Sequence, residues 1–85
     1  MKHAEIIWNA LVESILEIFP EFSVRQLLRT DSLKDLGANS IDRAEVVMLT
    51  MSRLGIKAPL ILFASAKNLG ELSEAFLANT VTGHV

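Results

Sequence analysis

One serine in the sequence, Ser40, is a candidate for reactive chemistry. Ser40 lies in the stretch LGANSID, residues 36–42, between a polar loop and an apolar stretch. A serine hydroxyl becomes a useful nucleophile only when an adjacent base activates it. The two histidines, His3 and His84, lie at opposite ends of the chain, and no G-x-S-x-G elbow occurs. We therefore expect no catalytic residues and no self-contained hydrolysis.

Metal chemistry has no better support in the sequence. The chain contains no cysteine, and its two histidines are far apart, so neither a thiolate site nor a Cys/His cluster with zinc spacing is expected. Disulfides are excluded for the same reason. A small cysteine-free domain is typical of the cytosol. We expect a cytoplasmic, monomeric protein without a metal site.

Length and charge limit the remaining function classes. The chain has 85 residues, which is enough for one small domain, here taken as residues 1–85, and too few for two. Its eight basic residues are scattered and form no stripe that could follow phosphates, which argues against nucleic acid as a partner. The longest unbroken apolar run, residues 58–64, is far short of a membrane span. We expect no membrane partner.

An amphipathic first helix is predicted over residues 3–19. Apolar side chains recur there at spacings of four, four and three residues: Ile7, Leu11, Ile15 and Ile18. Pro20 ends this helix because proline lacks the backbone donor that a continuing helix needs. Trp8 is expected to pack at the edge of the core.

A long connection follows the first helix. Residues 23–29 are predicted to form a short helical turn, since Ser23 can act as a cap. Leu33 and Leu36 are isolated apolar residues in a polar loop, and their burial would pin the loop against the helices. Gly37 can then turn the chain into the next element. We expect this loop to be ordered.

A second helix is predicted over residues 40–55, where apolar side chains share one face: Ile41, Ala44, Val47, Met48, Met51 and Leu54. The opposite face mixes apolar and polar side chains: Asp42, Arg43, Val46, Leu49, Thr50 and Arg53. We expect the first face to pack in the core and the mixed face to point outward.

Two further helices complete the predicted fold. Residues 59–65 are almost all apolar; a strand there would lack a partner, and Pro59 suits the first position of a short helix that fills the core. A last helix is predicted over residues 68–79, with Asn68 and Glu71 forming a capping box.

The fold class follows from these elements. The tail, residues 80–85, has no periodicity and is expected to be frayed. Three longer helices and one short third helix predict an all-α protein, a small four-helix bundle.

Two roles for Ser40 follow from the residues alone. Asn39 and Ser40 are both good helix caps, so Ser40 can simply satisfy a free backbone N–H at the start of the second helix. Alternatively, another enzyme modifies its hydroxyl, which then carries a phosphodiester. A helix N-terminus favours such an anion because its unpaired N–H groups carry partial positive charge. The residues leave both roles open.

A family resemblance favours the second role. DSLKDLGANSID, residues 31–42, resembles the phosphopantetheine attachment site of acyl carrier proteins, whose usual form is D-S-L-x-D-L-G-A-D-S-L-D. The predicted helix order is similar to the acyl-carrier-protein fold over nearly the whole chain. The resemblance implies that a phosphopantetheinyl transferase attaches 4′-phosphopantetheine from coenzyme A to Ser40, and that the arm's thiol holds an acyl group as a thioester. The protein would then be a non-catalytic carrier.

A narrower resemblance concerns GANSIDRAEVVM and LGIKAPLILFASAKNLGEL. These stretches are similar to the stand-alone donor carriers of bacterial polyketide β-branching cassettes. The resemblance implies a malonyl group loaded by an acyltransferase, a decarboxylating ketosynthase-like enzyme that turns it into acetyl, and an HMG-CoA-synthase-like enzyme that receives the acetyl. Two features depart from the common carrier pattern: Asn39 replaces aspartate, and the net charge is only −2.

The second helix would supply the docking surface beside an arm-bearing serine. A mixed apolar and charged patch suits transient docking, in which charge arrangement selects the partner. We expect the partner interface to contain Ile41, Asp42, Arg43, Glu45, Val46, Met48, Leu49 and Arg53. The resemblance supplies Ile41 and Met48, for which core packing is the competing expectation.

Two other interpretations stay open. The chain could be a carrier for fatty acid, peptidyl or D-alanyl transfer, or a helical protein-interaction module in which Ser40 is only a cap.

Overall fold

The computed structural model describes residues 2–82, and the regular elements in this part of the chain are all helical. Its α-helices are α1 over Lys2–Ile18, α2 over Ser40–Leu54 and α3 over Leu69–Thr82. One 3₁₀ turn over Pro20–Val24 follows α1, and a second over Leu60–Phe63 joins α2 to α3. Residues 2–82 contain no strand. The all-α prediction is confirmed.

The predicted short third helix, residues 59–65, is a single 3₁₀ turn. Its hydrogen bonds connect residues three apart: the Leu62 N–H donates to the Pro59 carbonyl at 3.1 Å, and the Ala64 N–H to the Ile61 carbonyl at 3.3 Å. Pro59 itself is extended and precedes the turn. The segment is too short for the i to i−4 bonding that an α-helix requires.

The turn predicted over residues 23–29 lies earlier in the chain. The 3₁₀ turn begins at Pro20, whose fixed φ suits the first position of a helical turn. It ends where the Arg25 N–H donates to the Phe22 carbonyl at 3.2 Å. Ser23 lies inside this turn and does not begin one, so the predicted position is wrong.

The last helix continues beyond its predicted end at residue 79. Residues 80–82 are helical, and the Thr80 hydroxyl donates to the Phe76 carbonyl at 2.8 Å. The prediction of a frayed tail is therefore wrong for residues 80–82. Residues 83–85 lie outside the described part of the chain.

The core lies between the three α-helices. The predicted apolar side chains Ile7, Leu11 and Ile15 of α1 are buried in it, together with three from α3: Leu69, Leu72 and Phe76. Phe63 reaches in from the second 3₁₀ turn, with its ring centroid 4.6 Å from that of Phe76. This contact holds the turn against α3, while the neighbouring Leu60 and Leu62 stay exposed. The expected core filling by this segment rests on Phe63.

The face that α2 buries differs from the prediction. Val46 and Thr50, expected to point outward, are both 0% exposed. Ile41 and Met48, placed on the inward face, are 71% and 49% exposed. Apolar residues occur on both sides of α2, so periodicity alone does not fix its rotation. Thr50 is buried without an unpaired hydroxyl because it donates to the Val46 carbonyl at 2.7 Å.

The connection between α1 and α2 is held by the predicted leucines. Leu33 is buried and Leu36 is partly buried against the core. Gly37 follows with φ of 101°, a conformation that favours glycine over residues with a Cβ. The expected loop turn at Gly37 is confirmed.

Asp31 joins this connection to two other parts of the molecule. Its carboxylate accepts from the Leu28 N–H at 2.8 Å and pairs with Arg25 at 3.0 Å. Its own carbonyl accepts from the Leu69 N–H at 2.8 Å, and the Arg29 carbonyl accepts from the Gly70 N–H at 2.9 Å. The loop therefore supplies acceptors to the free amides at the start of α3.

Trp8 packs at the core edge as expected. It is half-buried on α1 against the core, and the Arg29 guanidinium lies 4.6 Å from the ring centroid. This cation–π contact ties the same loop to α1.

The Asp31 contacts predict a specific acid sensitivity. The Leu28 N–H, helped by Arg25 and opposed by desolvation, holds the pKa of Asp31 below its ordinary value of 3.8. A carboxyl whose pKa is lowered by folding stabilises the fold above its unfolded pKa, and this contribution is lost as pH falls through the folded pKa. In urea unfolding between pH 7 and pH 2, Asp31→Asn should lose part of the decline that the wild type shows below about pH 4.

The matched control is Asp35→Asn, which removes an exposed carboxylate that forms no ion pair within residues 2–82. This variant should keep the wild-type decline at low pH. If Asp31→Asn also keeps it, the Asp31 contacts do not stabilise the folded state.

Candidate functional site

The N-terminus of α2 is capped by Asn39. The Asn39 Oδ1 accepts from the Asp42 N–H at 2.8 Å, and the Asp42 Oδ2 accepts from the Asn39 N–H at 3.2 Å. These two bonds form a capping box that satisfies backbone donors in both directions. The first α-helical bond runs from the Arg43 N–H to the Asn39 carbonyl at 2.9 Å. Ser40 is thus the first residue inside the helix.

The hydroxyl of Ser40 is consequently free. The side chain is exposed, and it forms no hydrogen bond with any residue in the described range 2–82. The interpretation of Ser40 as an N-cap is wrong, because Asn39 performs that function. What remains is an accessible hydroxyl at the positive end of a helix dipole.

The residues before Ser40 fix its position. Ala38 is only 4% exposed, and its N–H donates to the Leu33 carbonyl at 2.9 Å. The carbonyl of Ala38 accepts from the Arg43 Nη1 at 2.8 Å. The chain is therefore held on both sides of the peptide that leads into Asn39, and the Ser40 hydroxyl is presented from an ordered junction.

Ser40 also borders a cavity of about 510 Å³. Apolar side chains from the loop, from α2, from the second 3₁₀ turn and from α3 line it: Leu33, Val47, Phe63 and Leu72. Three cationic residues line the same space: Lys34, Arg43 and Lys67. Sequence reasoning missed Lys34 and Lys67 because they belong to separate loops that only the fold brings together.

The comparison with protein families decides the class. The model of the phosphopantetheine attachment site matches residues 10–76, most of the chain. The chain belongs to the acyl carrier protein family. Its cofactor is 4′-phosphopantetheine, whose thiol supplies the thioester chemistry when the arm is bound. The carrier itself is non-catalytic, in keeping with the sequence-based expectation.

Two known proteins resemble this carrier closely. The polyketide biosynthesis acyl-carrier-protein AcpK of Bacillus subtilis (strain 168) is 38% identical over 68 residues, covering 80% of this chain and 83% of AcpK. The second is a carrier chain in the crystal structure of the curacin biosynthetic pathway HMG synthase in complex with acetyl donor-ACP. It is 41% identical and has a TM-score of 0.83, with 88% of this chain and 96% of that chain covered.

Only some of the predicted docking residues of this carrier are exposed. Ile41, Glu45 and Met48 are exposed on one side of α2 and share a face with Ser52. Leu49 is partly buried, and the Asp42 carboxylate is engaged in the capping box. The remaining predicted apolar member, Val46, is buried in the core, so its placement at an interface is wrong.

Both predicted docking arginines have partners inside the carrier. Arg43 bonds the Ala38 carbonyl. Arg53 donates through Nη1 to Glu13 Oε1 at 3.1 Å and through Nη2 to Glu17. Because both glutamates lie on α1, Arg53 connects α2 to α1. A contact of either arginine with a partner protein stays a prediction.

Residues 2–82 offer no metal site and no membrane span. No group of three or more His, Cys, Asp or Glu side chains there could hold a metal ion. None of the helices in this range is long and apolar enough to cross a membrane. His3 is exposed on α1, while His84 lies outside the described residues.

Alanine substitution tests whether Asn39, and not Ser40, caps α2. Asn39→Ala removes the side-chain acceptor of the capping box and should lower the free energy of unfolding by about 1 kcal/mol. Ser40→Ala removes a hydroxyl without a protein partner and should change it by less than about 0.5 kcal/mol. Urea unfolding followed by circular dichroism at 222 nm measures both values.

The order of the two variants is the critical result. A larger loss for Ser40→Ala than for Asn39→Ala would mean that Ser40 caps α2 in solution, contrary to the structure.

Proposed function

We propose that Ser40 is the residue that carries 4′-phosphopantetheine, and that this carrier donates acetyl, formed from malonyl, for β-branching in polyketide biosynthesis. The observation that supports Ser40 is its exposed hydroxyl, left free because Asn39 caps α2. The sequence around it, DSLKDLGANSID, corresponds to the attachment motif of a family to which the chain belongs.

The N-terminus of α2 suits the attached phosphodiester. In the proposed transfer, a bond forms between the Ser40 oxygen and phosphorus as the phosphoanhydride of coenzyme A breaks and adenosine 3′,5′-bisphosphate leaves. The hydroxyl proton passes to the transferase. The new anion lies beside the positive end of the α2 dipole, an arrangement that typically contributes about 0.3–1 kcal/mol.

The donor role is supported by the two relatives. AcpK is a polyketide carrier, and the crystallised relative is an acetyl donor-ACP in complex with an HMG synthase. We propose an HMG-CoA-synthase-like enzyme as the receiving partner of this carrier too. Its other partners are a phosphopantetheinyl transferase, an acyltransferase and a decarboxylating ketosynthase-like enzyme.

The structural form fits this role. We propose one carrier domain over residues 1–85, in which the second 3₁₀ turn takes the place of the short third helix of a four-helix carrier bundle. The domain would act as a cytoplasmic monomer.

The proposed docking face is narrower than the sequence indicated. Ile41, Glu45 and Met48 are exposed on α2, and Ile41 directly follows Ser40. Substitution of such exposed apolar side chains changes the stability of the free protein little. On docking, however, these side chains can bury apolar area against a partner. Glu45 adds a charge that can select among partners.

Attachment is tested by intact mass. Purified protein is incubated with coenzyme A and a broad-specificity phosphopantetheinyl transferase. We expect the wild type to gain the mass of one arm and Ser40→Ala to gain none, because that variant keeps the fold but lacks the only proposed acceptor.

Ser65→Ala is the matched control, since Ser65 is also exposed but follows the second 3₁₀ turn and does not begin an α-helix; this variant should gain one arm. An unchanged wild type would refute the carrier proposal and favour a helical interaction module. An arm on Ser40→Ala would place the attachment elsewhere.

The donor role is tested by acetyl transfer. Protein loaded with acetyl-phosphopantetheine should transfer acetyl to an HMG-CoA-synthase-like enzyme. Ile41→Ser should reduce kcat/KM about 10-fold, the equivalent of about 1.4 kcal/mol, because an apolar docking contact is lost.

Val24→Ser is the control for this assay, since Val24 is 90% exposed on the first 3₁₀ turn and should leave transfer unchanged. Transfer to fatty-acid enzymes but not to the HMG-CoA-synthase-like enzyme would contradict the donor role while leaving the carrier function intact.

A further inference from the structure

The charge distribution around the Ser40 cavity is one-sided. Lys34, Arg43 and Lys67 all line it, whereas none of its described lining residues is Asp or Glu. The whole chain, in contrast, carries a net charge of −2. The fold therefore gathers three of the eight basic residues around one space. Such a concentration of one sign in a cleft raises the local concentration of the opposite charge.

The two lysines among these cations, Lys34 and Lys67, form no ion pair in the described part of the chain. Arg43 uses one N–H on the Ala38 carbonyl, which leaves other guanidinium donors available. The carboxylate of Glu71 accepts from the Lys67 backbone N–H at 2.9 Å and does not line the cavity.

The arm's phosphodiester does not account for this charge. It would carry a single negative charge and would be fixed at the Ser40 oxygen, beside the N-terminus of α2. The residues that line the cavity with Ser40 include Phe63 of the second 3₁₀ turn, and Lys67 and Asn68 just before α3. The phosphodiester would neutralise only one of the three positive charges, and apolar side chains line the same cavity. A second anionic group on a short apolar chain would complement both the cationic and the apolar lining residues.

We propose that this cavity recognises the free carboxylate of a malonyl-type acyl group on the carrier's arm, with Lys34 and Lys67 as its specificity-determining residues. This inference rests on the proposed function, since the acyl group must be attached through Ser40. The two ammonium groups bind the carboxylate, and the apolar side chains below contact the methylene and the thioester region.

The proposal gives the cavity a role in distinguishing loading states. Decarboxylation by the partner enzyme replaces the carboxylate with a proton and releases carbon dioxide. The acetyl group that remains is uncharged, so Lys34 and Lys67 lose their ligand. The cavity then contacts the malonyl group but not the acetyl group, so the two loading states differ at the carrier.

The test compares four forms of uniformly ¹⁵N-labelled protein by amide NMR: without the arm, with the arm, with acetyl and with malonyl. We expect the malonyl and acetyl forms to differ most at residues 33–34, 43 and 63–68. Lys34→Gln and Lys67→Gln should each lose at least half of that difference, whereas Lys34→Arg and Lys67→Arg should retain it.

Lys57→Gln is the matched control because it removes one exposed lysine that does not line this cavity. It should show the full wild-type difference between the malonyl and acetyl forms. A loss as large as in Lys34→Gln would show a net-charge effect and overturn the proposal.

Two further outcomes overturn it. Identical malonyl and acetyl spectra would mean that the carboxylate is not recognised. If shifts at these residues arise on arm attachment and do not change with malonyl, the cavity binds the phosphodiester instead. Failure of the proposed function is distinguishable, because intact mass would then show that no arm is attached at all.

Discussion

The reciprocal hydrogen bonds between Asn39 and Asp42 are the constraint on which the site depends. A helix begins with backbone N–H groups that need acceptors, and a serine at this junction would ordinarily supply one. Here Asn39 and Asp42 satisfy each other's backbone donors. The Ser40 hydroxyl is therefore not needed as an N-cap, and it still lies at the positive end of the α2 dipole. Replacement of the usual aspartate by Asn39 preserves this capping function, because either side chain offers an oxygen acceptor.

The remainder of the fold holds that junction in place. Leu33 and Ala38 bury the loop before it, and Arg43 bonds back to the Ala38 carbonyl. Asp31 connects the same loop to the start of α3. An arm attached at Ser40 would thus be anchored at a fixed position relative to the proposed docking face of α2 and to the Ser40 cavity.

The sequence predicts those features that depend on local patterns. The apolar spacing of Ile7, Leu11 and Ile15, the helix stop at Pro20 and the family indicated by the attachment motif are all confirmed. The rotation of α2 does not follow, because Val46 and Met48 are both apolar and only packing against α1 decides which is buried. Arg53 illustrates the same limit, since its partners Glu13 and Glu17 are 40 and 36 residues away. Likewise, nothing in the spacing of Lys34 and Lys67 shows that they share one cavity.

Attachment of the arm depends on the Ser40 hydroxyl, which the cap on α2 leaves free. Tryptic mapping of the transferase-treated protein tests it most directly, since cleavage after Lys34 and Arg43 yields DLGANSIDR, a peptide whose sole hydroxyl side chain is that of Ser40. The expected result is that the whole added mass of phosphopantetheine resides on this peptide and that fragmentation assigns it to Ser40. An arm found on any other peptide, with DLGANSIDR unmodified, would contradict it.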